Sequence, residues 1–220
     1  MSVFDILINY HVELLGGLGV TIQLFLCTSI ISILIGIFFG ALGARYKNLG
    51  IIVKIFSFVL ASIPLLVILF WFYYPFQTIL GVSISAFTTA LLALVIINTA
   101  AVAELIRGVL IDFPKQYIVL GKMSGLSPKH IFYKIQFPMI FRQIIPSLLT
   151  TQIFILQATL FASLIAVPEI LRVAQNINSV IYKPIEIYTS LAIFFIITLA
   201  PINYLTYILK KRLTRDLSEN

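Results

Sequence analysis

The sequence predicts an all-α integral membrane protein with five spanning helices. Three observations predict it. Asp, Glu, Lys and Arg are absent between Glu13 and Arg45, between Lys54 and Glu104, between Arg142 and Glu169, and between Glu186 and Lys210. The chain is 60% hydrophobic, with a mean hydropathy of +1.09, a composition outside the range of soluble domains. Thirteen of its 15 basic residues fall in alternate connections between the uncharged stretches. A hydrocarbon core of ~30 Å takes about 20 apolar residues per helix, and a charge at its centre costs roughly 2.5–3.5 kcal/mol on insertion scales. The uncharged stretches are therefore membrane-sized. The second is long enough for two spans, with a turn offered by Tyr73-Tyr74-Pro75, Gly81, Ser83 and Ser85.

One transmembrane domain accounts for residues 1–220, with spans at about 17–44, 52–74, 85–106, 143–167 and 187–209. Five crossings put the two ends on opposite sides. Arg45, Lys47 and Lys54, then Arg107 through Arg142, then Lys210, Lys211, Arg212 and Arg215 mark one side, leaving Arg172 and Lys183 on the other. The positive-inside rule places the basic side in the cytoplasm, the N-terminus outside and the C-terminus inside. The same placement explains the net charge of +7 as an orientation signal and argues against a nucleic-acid partner. The first residues lack a basic n-region and a small-residue cleavage site, so no cleaved signal peptide is expected. Gly36, Gly40 and Gly43 in the first span allow close helix approach, either as ordinary packing or as a dimer face. Trp71, Tyr73 and Tyr74 read as an aromatic belt at the outer end of the second span.

The cytoplasmic connection 107–142 carries six basic residues and one acid, Asp112. Pro114 can start a helix, and Ser124-Gly125-Leu126-Ser127-Pro128 reads as a stop, a turn and a restart. Ile131, Phe132 and Ile135 give the second helix an apolar face. The pair is either a protrusion for a partner or an amphipathic pair lying on the lipid surface. Glu104, three residues before Arg107 on one helix, either pairs with it or faces a transport path. Asn98, Gln152, Gln157, Thr159 and Ser163 are polar at membrane depth, so they bond between helices or line a cavity. The lone Cys27 excludes an intrachain disulfide, and His11 and His130 stand on opposite sides, so no metal site is expected. No HExxH, GxSxG or glycine-rich phosphate loop is present, and no His is placed to serve an intramembrane nucleophile.

In the 107–142 connection and its flanks the chain resembles a permease of the polar amino-acid uptake branch of the ATP-binding cassette importers, of the type I fold. Val119-Leu120-Gly121 stands at that family's E-A-A, Gly125 at its glycine and Phe137-Pro138 at its L-P. Ala103-Glu104-Leu105-Ile106-Arg107-Gly108 is similar to A-E-I-x-R-G, and Ser163 through Leu171 to S-V-I-G-V-P-E-L-L. Ala174-Gln175, Pro184 through Tyr188, Thr21 through Leu24 and Pro64 through Val67 extend the likeness over about residues 15–212. The resemblance implies a multi-pass permease of a bacterial cytoplasmic (inner) membrane, importing a polar amino acid. It implies a second permease, identical or a sister chain, an ABC ATPase dimer and an extracytoplasmic substrate-binding protein. ATP-Mg would bind the ATPase, and this chain would carry no cofactor. Val119, Leu120, Gly121, Gly125, Leu126 and Ser127 would form the coupling helix, while Asn98, Glu104, Gln157, Thr159 and Ser163 would be path candidates, the likeness favouring Gln157 and Thr159. Polar family positions are replaced by Ala61, Ile68 and Ala101, and Gln157-Ala158 stands where relatives have Lys-Asp. An uncharged substrate side chain, contacts from a sister subunit, or a scaffolding subunit without its own site remain the alternatives that follow.

Overall fold

The structure, a computed structural model, describes residues 3–214, and among them it is entirely helical. A short helix α1 (Val3–Asn9) precedes α2 (His11–Arg45), the first span. Then come α3 (Lys47–Ser62), α4 (Leu65–Tyr73), α5 (Pro75–Leu80) and the spanning α6 (Ala86–Ile111). On the cytoplasmic side α7 (Lys115–Met123) and α8 (Pro128–Ile131) form a helix-turn-helix. A π-turn over Phe132–Gln136 leads into α9 (Phe137–Ala158), which continues as a 3₁₀ segment, Thr159–Ile165. An amphipathic α10 (Ile170–Ile181) and the last span, α11 (Pro184–Thr214), complete the chain.

The second span departs from the straight helix expected over 52–74. It is α3 followed by α4 and α5, the two arms bent by 93° at Ser62-Ile63-Pro64. Pro64 has no N–H to continue the ladder and forces the preceding residue out of the helical region. Ile63 accordingly adopts φ −98° and ψ 126°. Hydropathy alone averages across such a break, because both arms are apolar.

What holds α2 to α6 is residue size. The inward face of α2 runs Gly17, Thr21, Leu24, Thr28, Ser32, Gly36, Gly40, Gly43. A Cβ on Gly36 would lie 2.7 Å from Val102, and one on Gly40 would lie 2.6 Å from the Ala103 carbonyl oxygen. The glycines are thus spent on a contact within the chain, where van der Waals packing and close backbone approach replace the hydrophobic drive that lipid cannot supply. The outward face carries the larger side chains, among them Leu34 and Phe38. With Phe58, Ile196 and Ile197 they form an apolar sheath suited to hydrocarbon. The core of the outer half gathers Leu24, Leu69, Ala90, Leu94, Ala162 and Val167.

The outer connections are fixed by polar caps. Ser85 Oγ accepts from Thr88 N at 3.1 Å and starts α6. Gln77 bridges the hairpin, donating to Thr89 Oγ1 (3.2 Å) and accepting from Ile84 N (2.8 Å).

Candidate functional site

On the cytoplasmic side, sequence and geometry agree on one turn. α7 ends at Ser124, and Gly125 takes φ +74°, the left-handed conformation that glycine enters without a side-chain clash. Gly125 N donates to Lys122 O at 3.0 Å and Leu126 N to Gly121 O at 3.1 Å, the paired bonds of a Schellman end. Ser127 then caps α8, accepting from His130 N at 3.4 Å. Gly121 closes the hairpin from inside: a Cβ there would stand 3.0 Å from Ile131 and 3.3 Å from Ile135. That packing turns Val119, Leu120 and Met123 outward, Met123 being 81% exposed. Phe132 and Tyr133 are exposed beside them, whereas Ile131, of the expected apolar face, is buried. An exposed apolar patch, with Lys115, Lys122 and Lys129 exposed on the same two helices, is the form of a surface that contacts a protein or a membrane.

Glu104 and Arg107 make a two-pronged ion pair at the inner end of α6, with Nε to Oε2 at 2.7 Å and Nη2 to Oε1. The arginine stem packs on Gly43 and Gly50, where α2 turns into α3. The pair therefore ties the base of the protrusion to the first two spans.

The path candidates separate by direction. Along α9 and its 3₁₀ continuation, Phe154, Gln157, Phe161 and Leu164 face outward. Gln157 is the single polar group of that stripe. Thr159 and Ser163 face inward, their hydroxyls donating to Leu156 O and Leu160 O at 2.7 Å. Asn98 is fully buried and contacts Ser32 and Gln152, so the structure joins it to α2 and α9. Beside Phe154, the break between α3 and α4 opens a cavity of about 370 Å³ lined by Ser57, Ala61, Pro64 and Ala101. Two of the positions where the sequence departs from the resembled family toward alanine thus share one cavity.

Glu169 is the residue the sequence reading passed over. It is completely buried, caps α10 and accepts from Leu171 N (2.9 Å) and Arg172 N (2.7 Å). The hydroxyl of Thr21 on α2 accepts from Ile170 N at 3.1 Å, so α10 is pinned to the first span. An acid directly before the amphipathic run 170–181 was the available signal. Burial pushes this carboxyl up to about 7, against the opposing effect of its two N–H bonds. Below its usual value of 4.5 it is protonated folded or unfolded; between 4.5 and 7 only the folded state keeps the proton. Its stabilisation is complete below 4.5 and is lost as pH rises through 7, by about 3 kcal/mol in all. Unfolding followed at pH 5 and pH 8 in detergent is expected to show this loss. Glu169→Gln should flatten it; an unchanged pH slope in that variant would contradict the assignment.

The chain is similar to known transport proteins. The family described as binding-protein-dependent transport system inner membrane component matches residues 12–219. The probable glutamine ABC transporter permease protein GlnP of Bacillus subtilis (strain 168) is 30% identical over 158 residues, 70% of this chain and 72% of that one. A crystal structure of an amino acid ABC transporter with histidines aligns with TM-score 0.80 at 27% identity, covering 94% of this chain and 96% of its own. The MetNI methionine ABC transporter in inward-facing form aligns with TM-score 0.67 at 19% identity over 96% of this chain and 99% of its own, a likeness of fold.

Proposed function

The chain belongs to the family of binding-protein-dependent transport system inner membrane components, and on that footing we propose that it forms the path and the lever of an ATP-driven importer for an amino acid with an uncharged side chain. It is a multi-pass permease subunit of the inner membrane, with the transport role of its family. ATP-Mg is bound and hydrolysed by a partner ATPase dimer, not by this chain. A second permease, identical or a sister chain, completes the pore. A binding protein delivers the substrate to the outer mouth, on the side of the N-terminus.

The observation that carries the lever is the α7–α8 protrusion, which presents Val119, Leu120 and Met123 outward around the Gly125 turn. Closure of the ATPases would press on this turn, and the pair Glu104–Arg107 would pass the displacement to α2 and α6. Such a switch works only if ligand and ATPase bind two packings of the bundle with different affinity. Amino-acid transport is supported by the functions of the relatives.

The uncharged side chain follows from the outward stripe Phe154, Gln157, Phe161, Leu164 and the Ala61–Ala101 cavity, which offer one amide and no charge. A charged side chain left unpaired in low dielectric is expensive. Gln157, with the backbone of the α3–α4 break, would hold the polar end of the substrate. Uptake by proteoliposomes holding this permease alone, its ATPase and its binding protein tests the reading. Neutral amino acids should compete for uptake, and arginine, lysine and glutamate should not. Saturable arginine or lysine uptake by that homodimer, unaffected by Glu104→Gln, would refute it. Uptake of a charged substrate only after a sister permease is added would assign the missing contacts to the sister.

A further inference from the structure

Halfway along three spans the bundle buries a group of amides and hydroxyls that the protein does not fully pair. Thr28, Ser29 and Ser32 stand on α2, Asn98 on α6 and Gln152 on α9. Each is more than about three turns from the ends of its membrane run, so the group lies near the midplane, where hydrocarbon is furthest from water. Thr28, Ser32 and Asn98 are fully buried, and Ser29 and Gln152 are less than one-tenth exposed.

The bonds that exist use one end of each amide. Asn98 Nδ2 donates to Ser32 Oγ and, at 3.2 Å, to Gln152 Oε1. Ser32 Oγ donates to Thr28 O at 2.6 Å. Asn98 Oδ1, Gln152 Nε2, Thr28 Oγ1 and Ser29 Oγ have no partner among the described residues. This remainder has a definite chemistry. Asn98 Oδ1 only accepts, Gln152 Nε2 only donates, and the two hydroxyls do either. A cation requires acceptors and would meet the Gln152 N–H groups; an anion requires donors and would meet Asn98 Oδ1. A small neutral molecule that both donates and accepts matches the chemistry of this remainder, and water is such a molecule.

We propose that water binds here, accepting from Gln152 Nε2 and donating to Asn98 Oδ1, with the hydroxyls of Thr28 and Ser29 completing its contacts. The position gives the water a role. α2 and α6 are locked together through Gly36 and Gly40. The span of α9 is irregular along its length, with the π-turn at 132–136, Pro146 within it and the 3₁₀ segment after it. The water would join this irregular span to the rigid pair. Beside the direct Asn98–Gln152 bond, a bridging water can exchange partners as α9 shifts and keep the remaining amide atoms paired when that bond changes register. The site is thus a hydrated joint between the fixed and the deformable part of the bundle, independent of which substrate is carried.

The sign of one measurement decides the matter. Thr28→Val keeps the side-chain shape and removes the hydroxyl. If water satisfies that hydroxyl, the variant breaks a bond, and the Tm of the full-length protein in lipid nanodiscs should fall by about 2–4 °C. If the hydroxyl is simply buried without a partner, its removal relieves a desolvation cost and Tm is unchanged or rises, which overturns the proposal. A density map of the unaltered protein, fine enough to show ordered water, provides the second reading. Density within hydrogen-bonding distance of both Asn98 Oδ1 and Gln152 Nε2 is expected. No density within reach of those two atoms, or Asn98 Oδ1 accepting directly from Gln152 Nε2, would overturn the proposal.

Discussion

Gly40→Leu is expected to remove the folded protein from the membrane. A Cβ at this position would lie 2.6 Å from the Ala103 carbonyl oxygen and 2.7 Å from Ile106 Cβ. One of these is backbone and the other is the branch point of a buried side chain, so neither can rotate away. The helices would have to separate along their main interface, and overpacking of that kind costs about 1–3 kcal/mol or more. The same substitution at Gly16 or Gly19 on the same helix meets nothing within 4 Å. Recovery of monodisperse protein after solubilisation should therefore collapse for Gly40→Leu and remain normal for Gly16→Leu. Equal recovery of the two would show that α2 and α6 are not in this contact.

Gly125→Val should produce the opposite phenotype, a protein that is present but does not transport. Nothing lies within 4 Å of a Cβ built on Gly125, so the damage comes from its φ of +74° alone. A β-branched residue in that conformation is strained by about 1–2 kcal/mol, and the last turn of α7 would rearrange to relieve it. The spans do not depend on this turn, so membrane levels should hold. Coupled uptake should drop tenfold or more as Val119, Leu120 and Met123 lose their fixed presentation. Gly125→Asn is the companion variant: asparagine tolerates the left-handed region and should keep most activity. Normal uptake by Gly125→Val would mean that the protrusion is no lever.

The parts legible in the sequence were those written in local chemistry. Charge-free runs gave the spans because a buried charge is costly wherever it falls. Ser124 through Pro128 gave the cytoplasmic turn because each residue has a preferred backbone role, and Gly125 takes the positive φ that the motif requires. Glu104 and Arg107 are neighbours on one helix, so their pairing needed no tertiary knowledge. Other features were written in size or in contacts between distant segments. The buried face of α2 carries small and weakly polar residues and its lipid face the large apolar ones, the reverse of the soluble pattern, so the usual reading of hydropathy periodicity would not orient it. Thr159 and Ser163 lie in the 3₁₀ segment after Ala158 and are buried, as Gln152 is one stretch earlier on α9, while Gln157 between them faces outward. Asn98 and Gln152 are 54 residues apart and meet only because α6 and α9 cross at that depth. The burial of Glu169 likewise needs Thr21, 148 residues earlier, to hold α10 against the first span.

The central claim is that this chain is a conduit moved by hydrolysis in a partner through the α7–α8 turn. Substrate accumulation in proteoliposomes tests it most directly. The permease, its ATPase and its binding protein are reconstituted with the ATPases facing ATP, and a labelled neutral amino acid is supplied on the opposite side with the binding protein. Accumulation above the external concentration is expected with ATP, and none with a non-hydrolysable analogue or with Gly125→Val in place of the native chain. Flux that stops at equal concentrations and proceeds equally without ATP would contradict the account, as would full ATP-driven accumulation by Gly125→Val.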